Sequence, residues 1–169
     1  AILGFDSIPS KSGWPKVLFS ARKKSKNHEF PDYLVLEMGV EKPGDIKYFT
    51  SLVKPNIAVI TNIGPAHLEG LKDINGVLKE KTELFKALAP GGVAIYNKDD
   101  KKLEEYIKSE KYQTLSYGFA KEADIVGKVI RRDASGTLLE VSHGNIKKQF
   151  KADIIGDHLL YAILAAMAV

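Results

Sequence analysis

The sequence predicts an α/β fold, with a mostly parallel sheet flanked by helices and a small antiparallel β appendage near the C-terminus. Two observations predict it. Short apolar runs alternate with segments whose apolar residues recur at helical spacing, which is the pattern of βαβ units. After residue 123 the pattern changes to short apolar segments separated by turn sequences, which is typical of antiparallel strands. The 169 residues can form one domain with a sizeable core.

The parallel part of the sheet is predicted from continuous apolar runs. Such runs favour strands that are buried on both faces, as in sheets with helices on either side. Three runs fit this description: residues 33–36, 57–60 and 93–96.

A helix is predicted after each of these strands. The first begins at Asp45 and ends before Pro55. The second has Asp73 as its N-cap and ends at the Pro-Gly-Gly of residues 90–92, and the third follows residues 97–100 and runs to about Lys108. The face of the first helix that is predicted to be buried consists of Ile46, Phe49, Leu52 and Val53.

The C-terminal third predicts three strands and a closing helix. The strands are residues 125–130, 137–141 and 146–150, with turn sequences between them. Residues 157–169 are apolar nearly all round, which predicts a buried helix. The predicted organisation is a single, partial domain over residues 1–169 with four parts: an irregular segment 1–32, a βαβ core 33–122, antiparallel strands 123–155 and a closing helix 156–169.

Composition excludes several classes of protein. The absence of cysteine excludes a disulfide scaffold and thiolate chemistry, so any metal must be bound by oxygen or imidazole nitrogen. No apolar stretch reaches the roughly 20 residues that span a bilayer, and no secretory signal is recognisable, so we expect a cytoplasmic protein without a membrane span. The net charge is +4, but the cationic cluster at residues 22–26 lacks interleaved aromatic residues, which argues against nucleic-acid binding.

Polar residues follow two of the predicted strands where those strands end. Glu37 ends the first run, and His67 follows the second. Because the carboxyl ends of parallel strands meet at the edge where open sheets bind ligands, we expect both residues to lie at that edge. A carboxylate and an imidazole are a workable part of an Mg²⁺ or Mn²⁺ shell, although each residue alone is equally consistent with a solvated loop. Residue chemistry gives no reason to distinguish Lys81 from Lys79.

Several motifs, in order along the chain, resemble those of the Mur ligases. Residues 36–40 with 43–46 resemble the family's Glu-Met-Gly and Pro-Gly segment, and residues 55–69 resemble its Thr-Asn-x-x-x-x-His-Leu segment. The Ala-His-Leu-Glu form of residues 66–69 is typical of the branch that adds D-alanyl-D-alanine to the UDP-MurNAc-tripeptide. The match continues at residues 81–85, 90–92, 97–100, 156–158 and 164–166.

This resemblance implies the central, P-loop-NTPase-like domain of a three-domain, ATP-dependent amide ligase of peptidoglycan precursor synthesis. In that family the substrate carboxylate and ATP form an acyl phosphate, which an amine then attacks. The implied cofactors are ATP and Mg²⁺ or Mn²⁺. The implied partners are the UDP-MurNAc-peptide, D-alanyl-D-alanine, and N- and C-terminal domains of the same chain.

The resemblance also assigns roles to single residues. Glu37 and His67 correspond to magnesium ligands. Lys81 falls where many members carry a carbamylated lysine, which supports a metal as a carboxylate does, so Lys81 and His67 are the implied catalytic residues. The residues that correspond to the nucleotide border are Thr61, Asn62 and His158.

The sequence departs from the family at three points. It contains no Gly-x-x-Gly-Lys-Thr/Ser, so this chain alone is expected not to hydrolyse ATP. Leu159 and Ala162 stand where the closing motif has asparagines, and Pro9 replaces an asparagine of an early segment. Two alternatives therefore stay open: a ligase of another substrate, such as a folylpolyglutamate or cyanophycin synthetase, and a non-catalytic binding domain that has lost its P-loop.

Overall fold

The computed structural model describes residues 32–169, of which residues 38–169 form one compact unit. The predictions for the irregular segment, for the cationic cluster at residues 22–26 and for Pro9 lie outside the described residues.

Helices and strands alternate up to about residue 118, and further strands and a closing helix follow, as the sequence predicts. The helices are α1 (Asp45–Leu52), α2 (Leu68–Leu71), α3 (Ile74–Lys86), α4 (Lys101–Lys108) and α5 (Asp157–Ala168). The strands are β1 (Ile57–Ile60), β2 (Val93–Asn97), β3 (Gln113–Gly118), β4 (Ile125–Asp133), β5 (Gly136–His143) and β6 (Ile146–Ala152). Within residues 32–169, no helix combines the length and apolar character that a membrane crossing requires.

The strands form one sheet in the order β1-β2-β3-β4-β5-β6. Pairing is parallel from β1 to β4 and antiparallel from β4 to β6, which confirms the predicted fold class. The antiparallel strands are continuous with the parallel ones, because β4 pairs with the end of β3 through Tyr117–Ile125 and Gly118–Val126.

The apolar pattern does not predict β3, because this strand carries polar residues into the core. Ser116 is buried, and both its backbone N–H and its hydroxyl donate to the carboxylate of Asp124, at 2.7 and 2.6 Å. Since a buried polar group is tolerated when it is hydrogen-bonded, this clasp lets a polar strand lie inside the sheet.

The predicted strand at residues 33–36 is wrong in this structure. The segment carries no strand, and Tyr33 and Val35 are 89% and 90% exposed. A continuous apolar run becomes a buried strand only where other elements pair with its backbone and cover its side chains. Apolar composition gives a segment the capacity for burial but does not supply these neighbours.

Two helices bury less of their surface than predicted. In α1, Ile46 is buried but Leu52 is 68% exposed, and the second buried position is Thr50, whose hydroxyl donates to the Ile46 carbonyl at 2.8 Å. In α5, Leu159 and Met167 are exposed because the helix packs against the sheet with one side only. The buried residues of α5 are Leu160, Leu164, Ala165 and Ala168.

The core lies on both faces of the parallel strands. On β2, Ala94 and Tyr96 belong to a cluster with α3 and α4, whereas Ile95 belongs to a second cluster with α5. The alternation follows from the two-residue period of a strand. Strand β2 is therefore covered on both faces, and this position fixes where its carboxyl end lies.

Tyr117→Phe is expected to raise the free energy of unfolding by about 1 kcal/mol, because an unsatisfied buried hydroxyl costs stability. Tyr117 is fully buried on β3, burial raises the pKa of its phenol, and its hydroxyl has no hydrogen-bond partner. Urea denaturation measures the change. A fall in stability would instead show that an internal water or another group bonds the hydroxyl.

Candidate functional site

The loop after β1 is held against the start of α4 by one carboxylate. The Ile63 N–H donates to Asp100 Oδ2 at 2.6 Å. Asp100 Oδ1 also accepts from the backbone N–H groups of Lys102 and Leu103, at 3.0 and 3.1 Å, which makes it the N-cap of α4. Asp100 thus joins the carboxyl ends of β1 and β2, while Thr61 and Asn62 of the same loop are exposed.

Lys81 reaches the same loop from α3. Its Nζ donates to the Asn62 carbonyl at 2.9 Å. Burial lowers the pKa of this ammonium, and the negative charge of Asp100 partly opposes the shift. Lys79, two residues earlier, is exposed. The structure therefore distinguishes two lysines that residue chemistry leaves equivalent, and it places Lys81 at the carboxyl end of β1.

His67 lies farther along this loop, directly before α2. Its side chain is exposed and makes no capping hydrogen bond. Its backbone has φ 57°, in the left-handed region that non-glycine residues seldom adopt. Such conformations cost energy and cluster at functional sites, so the backbone conformation is a second reason to consider His67 a candidate functional residue.

Glu80 is a structural residue of the site that sequence reasoning missed. It is 6% exposed, and its carboxylate accepts from the Gly44 and Ile46 N–H groups, both at 2.9 Å. Helix α1 has no side-chain cap of its own, so Glu80 caps it from α3. The sequence could have indicated that Glu80 is buried, because it comes three residues after Val77 and so lies on the same face of the helix.

Asp99, beside Asp100, forms a second junction. Its carboxylate accepts from the backbone N–H groups of Phe119 and Ala120, at 2.7 and 2.9 Å, and from the Tyr161 hydroxyl at 2.9 Å. Burial is the larger cause and this hydrogen bond to Asp99 the second, and together they raise the pKa of Tyr161 to about 12. The sequence marks Asp99 only as part of a motif before a helix, and nothing in its spacing indicates a bond to α5.

The predicted site residues fall into three groups. Asn62 and Lys81 are brought together at the end of β1, next to Asp100 and in the loop that carries Thr61 and His67. His158 is exposed in the first turn of α5. Glu37 is exposed and lies outside the compact unit 38–169, so its place beside His67 stays a prediction. In the part of the chain that the structure describes, no three His, Cys, Asp or Glu side chains form a group that could hold a metal ion.

A family model of the Mur ligase middle domain matches residues 5–169. The chain belongs to the Mur ligase family. A Mur ligase of Buchnera aphidicola subsp. Baizongia pistaciae, UDP-N-acetylmuramoyl-tripeptide–D-alanyl-D-alanine ligase, is 31% identical over 166 residues. The enzyme of the same name from Haemophilus influenzae is 32% identical over 136 residues. The match covers 98% and 80% of this chain but 35% and 29% of those relatives, so the chain spans about a third of their length.

Solved Mur ligase structures share the fold. MurF from Acinetobacter baumannii superposes with a TM-score of 0.73 at 27% identity, over 92% of this chain and 33% of that protein. MurF from Thermotoga maritima, solved in complex with ADP, gives 0.71 at 27% identity over 80% of this chain and 33% of that protein. Both agree with the resemblance that the sequence motifs carry and with the predicted α/β class.

Proposed function

We propose that the protein carrying this chain is an ATP-dependent peptide ligase that adds D-alanyl-D-alanine to UDP-N-acetylmuramoyl-tripeptide, and that this chain is its central domain. Relatives of this name align with nearly the whole chain, and a structural relative binds ADP. The observation that carries the proposal is the half-buried Lys81 ammonium, with its lowered pKa, at the carboxyl end of β1. A lysine whose only role is on the protein surface would be solvent-exposed, as Lys79 is.

The reaction joins a carboxylate to an amine in two steps. The tripeptide carboxylate attacks the terminal phosphorus of ATP, which gives an acyl phosphate and ADP. The amine of D-alanyl-D-alanine then attacks the acyl carbon, an amide bond forms, and phosphate leaves with the bonding electron pair while the nitrogen loses a proton. When bound, Mg²⁺ neutralises negative charge on the phosphates during such transfers.

The residues present fit a magnesium site if Lys81 is carbamylated. The described side chains offer no cluster of three ordinary ligands, but the His67 side chain is exposed without a capping bond and Lys81 Nζ contacts the start of the same loop. A carbamate on Lys81 would supply the oxygen donor that Mg²⁺ prefers. His67, Lys81 in this form, and Glu37 are the residues that we assign to the metal, and Thr61, Asn62 and His158 are assigned to the nucleotide.

The lowered pKa of Lys81 favours this modification, because only a neutral amine reacts with carbon dioxide. The neutral fraction rises as pH passes upward through the folded-state pKa, which burial holds below that of an exposed lysine. The ammonium form therefore lowers the free energy of unfolding by its full amount below that pKa, and this cost falls as pH rises from there and is gone above the pKa of an exposed lysine. Carbamylation is expected to increase over the same range.

Phosphate release by the full-length protein tests the proposed function. We expect release only when ATP, the UDP-linked tripeptide and D-alanyl-D-alanine are all present. A 30% identical relative is a UDP-N-acetylmuramoyl-L-alanyl-D-glutamate–2,6-diaminopimelate ligase that covers 66% of this chain, so a ligase of another amine is the second candidate. Release with the dipeptide precursor and 2,6-diaminopimelate would favour that candidate. Release with neither pair would contradict both.

His67→Ala is expected to lower kcat for this release at least about a hundredfold, as loss of a group that stabilises transferring charge does. Because His67 is exposed, the free energy of unfolding is expected to change by less than about 1 kcal/mol. His143→Ala is the matched control, since His143 is exposed at the end of β5, and it should leave kcat within about twofold. A stability loss above about 2 kcal/mol would show that His67 stabilises the fold, and the fall in kcat would then not identify it as a ligand.

A further inference from the structure

The neighbouring carboxylates Asp99 and Asp100 bond in different directions from the carboxyl end of β2. Asp100 holds the loop after β1 through the Ile63 N–H. Asp99 holds the loop after β3 and, through Tyr161, helix α5. Two consecutive residues therefore connect the part of the site that carries Lys81 with the part that carries His158.

The residues around Asp99 leave room for its carboxylate and fix its position. A Cβ at Gly118 would lie 2.9 Å from the carboxylate atoms of Asp99, so only glycine leaves room for it there. The Asp99 N–H is itself fixed by Asn97 Oδ1 at 3.0 Å. On the far side, the rings of Phe119 and Tyr161 meet edge to face, with centroids 5.0 Å apart and planes at 86°. The carboxylate thus has one defined position.

The contact with Tyr161 bears on the orientation of α5. Leu160 and Leu164 are fully buried and hold the helix against the sheet by apolar packing, which has no directional preference. A hydrogen bond is directional, and the Tyr161 hydroxyl makes one to Asp99 at 2.9 Å. Tyr161 follows His158 by three residues, so it lies one turn away on neighbouring helix surface. The other polar link of this turn is an exposed pair, Arg132 with Asp157, and exposed pairs contribute little.

We propose that Asp99 is a positioning residue for nucleotide binding: acting through the Tyr161 hydroxyl, it sets the rotation of α5 and so the place of His158. The consequence for catalysis rests on the proposed function, because it assumes that His158 borders ATP. The link itself does not rest on it, and both can be measured.

Tyr161→Phe is the sharpest test in the full-length protein, because it removes the hydroxyl and keeps the ring. We expect the KM for ATP to rise about fivefold, the equivalent of one hydrogen bond, with kcat within about twofold. Tyr106→Phe is the matched control, since the Tyr106 hydroxyl is also part-buried and bonds Tyr112 at 3.3 Å, away from α5. It should leave the KM for ATP unchanged.

A second variant tests whether Asp99 and Tyr161 act as one link. Asp99→Asn is expected to raise the KM for ATP, and the double variant Asp99→Asn with Tyr161→Phe should raise it by less than the product of the two single effects. Effects that multiply fully would overturn a shared link.

Amide hydrogen exchange separates this inference from the proposed function. In Tyr161→Phe, the amides of residues 161–164, which bond the carbonyls of the first turn of α5, should exchange about fivefold faster than in Tyr106→Phe, whether or not the protein is a ligase. Unchanged exchange together with an unchanged KM would overturn the inference. Faster exchange in a protein that releases no phosphate with either substrate pair would keep the link and contradict the proposed ligase.

Discussion

Lys81→Ala is expected to lower kcat for phosphate release by the full-length protein about a thousandfold, the upper range for loss of one charge-stabilising group. The reason is positional. Lys81 is the lysine of α3 whose Nζ bonds the carbonyl of Asn62 at the end of β1, and the carbamate we assign to it would bring a metal-binding oxygen to that point. Lys79→Ala, on the same helix but exposed, should leave kcat within about twofold.

Carbon-13 NMR in labelled bicarbonate checks the chemical basis of this expectation. The wild-type protein and the Lys79→Ala variant should both show a carbamate resonance that the Lys81→Ala variant lacks. Its intensity should increase as pH rises through the lowered pKa of Lys81. A protein that is fully active without the resonance would show that the uncharged or ammonium form of Lys81 is the functional one.

Glu80→Ala is expected to lower the free energy of unfolding by about 3 kcal/mol, the value of two hydrogen bonds to a charged acceptor. Glu80 accepts from Gly44 and Ile46 at the start of α1, and the Ile46 N–H lies in the core, where water cannot replace the lost acceptor. Urea denaturation followed by circular dichroism measures the change. The effect should exceed that of an ordinary helix cap, which is about 1 kcal/mol.

Two variants make the Glu80 result interpretable. Glu83→Ala, on the same helix, removes a half-exposed carboxylate that pairs with Lys86 at 2.7 Å, and it should cost less than about 0.5 kcal/mol. Glu80→Gln keeps one acceptor of similar shape, so its loss should fall between the two. If Glu80→Ala costs no more than Glu83→Ala, the cap contributes nothing and α1 is held by packing alone.

The fold class could be predicted because its signals are local. Apolar runs fix β1 and β2, and the side chains of Asp73 and Asp100 cap the next helices as their positions predict. Strand β3 could not be predicted, because Ser116 becomes acceptable inside the sheet only through Asp124, eight residues away. The exposed run at residues 33–36 fails for the converse reason, since burial of an apolar segment depends on neighbours that its own sequence does not specify.

The site divides in the same way. His67 could be predicted as a candidate site residue, since it follows a buried strand at the edge where open sheets bind ligands. Asn62 is a candidate only through the motif match. The motif match singled out Lys81, but its contact with the Asn62 carbonyl appears only when α3 packs against the sheet. Asp99 and Glu80 were missed in their roles because each bonds backbone N–H groups more than 15 residues away, and no spacing rule reaches that far.

The two kinds of strand connection in this sheet have a consequence for the order in which the protein folds. Strands β4, β5 and β6 follow one another through short turns, so their pairing closes small loops at little entropic cost. The parallel pairing of β1 with β2 must wait until α2 and α3 have formed and crossed over the sheet. The hairpin end is therefore expected to assemble on the microsecond scale of isolated hairpins, and the end that carries Lys81 and His67 later. When the whole chain refolds, the antiparallel end of the sheet is therefore expected to form before the candidate site.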